Sequence, residues 1–168
     1  MPYSAKAVAN EFLALAKDEG KQLTPMQLQK LVYFAYGWYL AITGERLLDE
    51  RVEAWQWGPV VPSLYNEFKR FGSGPITEFA RKAVVGTDGR ISYEPYRVMS
   101  DRPEHDVIAM KIIRKIWEIY GRFSASQLSN MTHAPESPWS QTPEKDVRGT
   151  DIPDDVIKAY FERLAHAG

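Results

Sequence analysis

Cysteine does not occur among the 168 residues. Disulfides, thiol nucleophiles and cysteine-ligated zinc or iron–sulfur clusters are therefore excluded. Histidine is scarce: His105, His133 and His166 are far apart, and none has a partner at metal-ligand spacing, so neither metal nor cofactor is expected. Neither sign of charge is in surplus. Lys and Arg total 21, Asp and Glu 22, and the net charge is −1. A generic nucleic-acid binder would carry a basic excess. Long apolar runs are missing too. The longest, "LVYFAYGWYLAI" at residues 31–42, falls short of the about 20 residues that cross a bilayer. The first residues, "MPYSAKAVANEF", hold no apolar signal core. These absences lead us to expect a cytoplasmic protein with no membrane role. There is no G-x-S-x-G elbow, phosphate loop or dinucleotide fingerprint, and no repeat or low-complexity tract.

What is present is ordinary in bulk and distinctive in places. Hydrophobic residues make up 44% and charged residues 26%, as in globular proteins generally. The length suits one domain over residues 1–168, able to bury roughly 70% of the surface its unfolded chain exposes.

Ser4 caps a first helix to about Asp18, with Gly20 beyond it. Thr24-Pro25-Met26-Gln27 is a capping box with proline at the first helical position. The helix it opens should run to about Thr43 and stop at Gly44. Leu28, Leu31, Ala35, Tyr39 and Ile42 form its main stripe, and the apolar residues from Leu31 onward make it central.

"RLLDERVEAWQW" reads as a small hairpin or an irregular extended piece, broken by Gly58-Pro59. Pro62 then opens a third helix to Phe71, closed by Gly72. "KAVVGTDGRISY" predicts two short strands around a turn. A long helix follows from about Glu104 to Tyr120, with Val107, Ile108, Ile112, Ile116 and Ile119 as its ridge. Ser124 and Gln127 form a second capping box for a helix to Met131. "THAPESPWSQTPEKDVRG" has three prolines and reads as a loop. A last helix from about Pro153 to His166 shows Val156, Tyr160, Phe161 and Leu164. The sum is a mainly α (α+β) fold, a compact helical domain with a small antiparallel strand element.

Several features invite chemistry and are better read as structure. The acidic pairs Asp49-Glu50 and Asp154-Asp155 suit a solvated turn and a helix N-terminus. Lys111, Arg114 and Lys115 form a solvated helix side. "WEIYGRFSASQLSNMT" imitates a helix–turn–helix, but the prolines at 135, 138 and 143 forbid a recognition helix directly after it.

Three blocks carry a resemblance: "MQLQKLVYFAYGWYLAITGERLL", "EAWQWGPVVPSLYNEFKRFG" and "SASQLSNMTHAPESPW". Together they resemble the signature blocks of the Panacea domain, the SocA-like antitoxin family of phage-associated proteins. The resemblance runs from about Ala5 to the final helix. It implies a bacterial or phage antitoxin, encoded beside a toxin that it neutralises by direct protein contact, and not an enzyme. One founding member looks instead like an adaptor delivering its toxin to a protease. Some relatives carry an extra DNA-binding domain, for which this chain has no room.

In the middle block Trp55, Gly58, Pro59, Val60 and Phe68 look like residues that define the fold, with Trp55, Val60, Leu64 and Phe68 on the central helix above a Gly58-Pro59 turn. Trp57, Tyr65, Lys69 and Arg70 are the candidates for facing a toxin, since aromatic and basic residues anchor interfaces. In the third block Trp139 plugs the proline-rich loop onto the core. His133 either bridges loop backbone or lies in a polar pocket that grips a partner. A small enzyme built around His133 and Glu136 is the alternative from another class. The apolar content also suits a homodimer.

Overall fold

The structure, a computed structural model that describes residues 2–143 and 149–167, is organised around one helix. That helix, α2 (Pro25–Thr43), begins at the capping box read from the sequence. Thr24 Oγ1 accepts from the Gln27 N–H at 3.3 Å, and Gln27 Oε1 accepts from the Thr24 N–H at 2.9 Å. Gly44 ends it at φ +75, a left-handed conformation that glycine adopts without a Cβ penalty. Every residue from Leu28 to Gly37 is buried. A helix covered on all sides needs neighbours on all sides. They are α1 (Ala5–Asp18), α4 (Pro103–Tyr120), α5 (Ala125–Thr132) and α7 (Asp154–Ala167). Ile42, expected on the apolar stripe, is instead 64% exposed, because the last turn of α2 is only partly covered.

Helix α7 docks closely on α2 at Gly37. The ring of Phe161 from α7 sits where a Cβ at position 37 would be. Phe161 is fully buried and makes edge contacts with Tyr33, Phe34 and Trp38, at centroid distances of 5.8, 6.2 and 5.3 Å. Burying such a ring stabilises by about 1.5–3 kcal/mol. Polar latches hold the start of α7. The Tyr36 hydroxyl donates to Asp154 at 2.5 Å, and Arg46 also pairs with Asp154.

Two antiparallel strand pairs complete the architecture. β1 (Glu53–Trp55) pairs with β2 (Gly58–Val60), Trp55 opposite Gly58 and Ala54 opposite Pro59. Gly58-Pro59 is therefore not a break, as the sequence suggested. It is the returning strand, and the turn is Gln56-Trp57. Residues 150–152 run along the other side of β1, where the Ala54 N–H donates to Thr150 O and the Ile152 N–H to Val52 O. From β2 the chain enters α3 (Pro62–Phe68), whose last turn tightens to a 3₁₀ turn at Lys69–Phe71 before Gly72. The second pair, β3 (Arg81–Val85) and β4 (Ile91–Pro95), stands largely exposed. Its base is tied to α1 by buried Asn10. The side-chain amide donates to Ala80 O and Tyr96 O and accepts from the Ala80 N–H, all at 2.9 Å.

Two helical faces are rotated from those expected. On α4 the buried residues are Ala109, Ile112, Ile113, Ile116 and Trp117, a stripe at i, i+3, i+4, i+7 and i+8. Val107, Ile108 and Ile119 are 42–53% exposed, because they lie to the side of that buried stripe. On α7 the core pair is Ile157 and Phe161, while Leu164 is exposed. The segment read as loop contains a short helix, α6 (Pro138–Gln141). Ser137 caps it by accepting from the Ser140 N–H, and Pro138 takes the first helical position. Residues 144–148 of that loop lie outside the described residues.

Candidate functional site

The residues singled out in the middle block converge where the first turns of α2, the β1–β2 hairpin and α3 meet. Two polar residues of α2 hold the hairpin there. Gln29 reads Val61 on both sides, donating to its carbonyl and accepting from its N–H at 3.0 Å each. Lys30, with no exposed surface, donates its ammonium to Trp57 O at 3.1 Å and Pro59 O at 3.2 Å. Burial pulls its pKa down from 10.5 to about 7 because the ammonium loses its hydration. These roles escaped sequence reasoning. The available signal was the Gln-Lys pair at the head of an otherwise apolar helix.

Gly58 explains why the hairpin lies so close. Its φ is +118, and a Cβ there would stand 2.6 Å from Lys30 Nζ, 3.1 Å from Thr132 Oγ1 and 3.3 Å from His133 Cε1. Glycine is required by backbone conformation and by space together.

With its carbonyl anchored, Trp57 presents a ring that is 65% exposed. Tyr65 is 38% exposed, and Lys69 Nζ lies 6.0 Å from the centre of its ring. Trp57, Tyr65 and Lys69 line one groove of about 260 Å³, walled further by Met26, Val60 and Leu64. Arg70 is not among the lining residues. It pairs with Glu78 at 3.0 Å and stacks on Phe71.

Of the residues expected to define the fold, Gly58, Pro59, Val60 and Phe68 are buried. Trp55 differs. It is half-buried in the groove wall instead of packing into the core, its ring 4.9 Å from Tyr65 and its Nε1–H donating to Glu53. The reason is strand alternation: Ala54 takes the inward position of β1, so Trp55 points outward.

Trp139 donates its Nε1–H to Trp55 O at 2.6 Å, joining the proline-rich segment to the hairpin. His133 packs 4.0 Å from Trp139, and its Nδ1 lies 2.6 Å from Ser129 O. That contact places the proton on Nδ1, because a carbonyl only accepts. His133 does not line the groove. Glu136 is exposed at φ +69.

Among the described residues no group of three or more His, Asp or Glu side chains could hold a metal ion. Among the described residues no helix is long and apolar enough to cross a membrane either. A larger depression, about 500 Å³, lies between the end of α1 and residues 76–79 and holds none of the residues selected from the sequence.

The helical scaffold thus carries an aromatic groove at its surface. Comparison with known sequences supplies the family. The profile of the antitoxin SocA-like, Panacea domain family matches residues 28–140. Antitoxin SocA of Caulobacter vibrioides (strain NA1000 / CB15N) is 35% identical over 161 residues, covering 94% of this chain and 81% of that protein. The chain belongs to the SocA-like antitoxin family. No solved structure matches it significantly.

Proposed function

We propose that this chain is an antitoxin that neutralises a cognate toxin, encoded by an adjacent gene, through direct protein contact and without chemistry of its own. Family membership supports the antitoxin role. The observation that carries direct contact is Trp57, a large exposed ring on a backbone fixed by Lys30, at the rim of an apolar groove. Exposed aromatics on pre-organised backbone are what interface hot spots are made of. On this reading Trp57, Tyr65 and Lys69 face the toxin in the cytoplasm. Arg70, already paired with Glu78, contributes at the edge.

The test is growth. The neighbouring gene is induced alone, then together with this chain. Arrest by the neighbour and relief by this chain are expected. A harmless neighbour, or arrest that persists despite soluble co-expression, refutes the reading. Toxin half-life in the rescued cells separates masking, which leaves it unchanged, from delivery to a protease, which shortens it.

A further inference from the structure

The charged side chains that line the groove are of one sign. Lys30 forms part of its floor and Lys69 part of its rim, and among the described residues that line it there is no carboxylate. Pro25 and Met26, from the first turn of α2, also line it. That turn contains no acidic residue, so no side-chain charge offsets the positive end of this capped 19-residue helix beside the groove. The walls are apolar, and low-dielectric walls concentrate such a field.

Size narrows the occupant further. At about 260 Å³ the groove is below the range of ordinary small-molecule and cofactor sites, which begin near 300 Å³, and suits a single large side chain. Two lysines on a chain of net charge −1 also fall short of what a nucleic-acid backbone demands.

We propose that this groove takes an acidic segment of the toxin, one that inserts an apolar side chain between Trp57 and Tyr65 and sets a carboxylate beside Lys69. The inference rests on the antitoxin reading above and adds the chemistry of the partner. Lys69 supplies the exposed, steerable charge. Lys30, whose pKa burial lowers to about 7, adds charge only in its protonated fraction, and its ammonium keeps Trp57 in place through the Trp57 carbonyl.

The experiment is calorimetric titration of the purified adjacent-gene toxin into the full chain, at low and at high salt. Trp57→Ala should weaken binding about 30-fold, as loss of a hot spot does. Lys69→Glu should weaken it about tenfold at low salt and flatten the salt dependence. Lys69→Arg should retain most of the affinity. Lys115→Glu, on the exposed side of α4, removes the same charge elsewhere and should leave affinity within about twofold. Trp57 and Lys69 are exposed, so thermal unfolding of these variants should match wild type, which keeps a binding loss interpretable. Wild-type binding that neither substitution weakens overturns the groove and leaves the antitoxin reading standing. Tighter binding by Lys69→Glu overturns the acidic character of the segment. A toxin that does not bind wild type at all removes both the inference and the reading beneath it.

Discussion

Replacing Gly37 with alanine sets two physical effects against each other. In an exposed helix interior, alanine is better than glycine by about 1 kcal/mol. Position 37 lies mid-way along α2, so helix propensity alone predicts a more stable protein. Packing predicts the reverse. A Cβ there would stand 2.6 Å from Phe161 Cζ and closer still to two other ring carbons. That ring cannot swing aside cheaply, with Tyr33 and Trp38 against it and Tyr160 at 5.4 Å from α7 itself. Relief requires α7 to move. Overpacking of this kind costs about 1–3 kcal/mol, and the contact places it at the upper end. Subtracting the propensity gain leaves a net loss of about 2 kcal/mol. Phe161→Ala alone should cost about 3–5 kcal/mol. The double variant should lose less than the sum by more than about 1 kcal/mol, because the new methyl occupies part of the vacated ring space. Equilibrium urea unfolding followed by circular dichroism reads these differences as midpoint shifts at constant slope. A neutral or stabilised Gly37→Ala, or strict additivity in the double variant, would refute the docking of α7 through Gly37.

Other outcomes follow from the same geometry. Gly58→Ala forces a side chain into φ +118 and against Lys30, and should cost about 2–4 kcal/mol, whereas Gly20→Ala meets no neighbour and should cost about 1, both read by thermal unfolding. Lys30 gives up its proton near pH 7 when folded and near 10.5 when unfolded. Between these values the unfolded chain binds more protons, so this group makes stability rise with pH by roughly 1 kcal/mol per unit. Lys30→Met should lose that slope between pH 7 and 9, below the range of tyrosine ionisation, in urea midpoints measured at each pH; equal slopes refute the burial of a titrating ammonium. Asn10→Ala strands the buried Ala80 N–H and frees the base of the β3–β4 hairpin. It should cost about 1–3 kcal/mol and speed hydrogen exchange across residues 81–95 selectively.

Much of the helical framework was legible because its signals are local. The Thr24/Gln27 and Ser124/Gln127 boxes set helix starts through bonds spanning three residues, and both form as read. The strands around Thr87-Asp88-Gly89 obey the same locality. Ser137-Pro138 carried an equally local signal, overlooked because the surrounding prolines suggested a loop. Of the groove, the sequence supplied its aromatic residues and Lys69 but neither Gln29 nor Lys30, whose partners lie 27–32 positions away.

What periodicity, caps and breakers specify is where each helix begins, how long it runs and that α2 is the apolar centre, because those depend on neighbours along the chain. Which apolar residues stay outside depends on neighbours across the fold. Ile42, Ile108 and Leu164 are apolar, yet among the described residues no element covers them fully. Gly58-Pro59 became a strand because Glu53–Trp55 lay alongside to pair with it. Trp57 became an exposed side chain on a fixed turn because a lysine from helix α2 holds its carbonyl. The β1–β2 pairing is local, but the exposed residues and the hold on Trp57 were decided by partners that no short window of the chain contains.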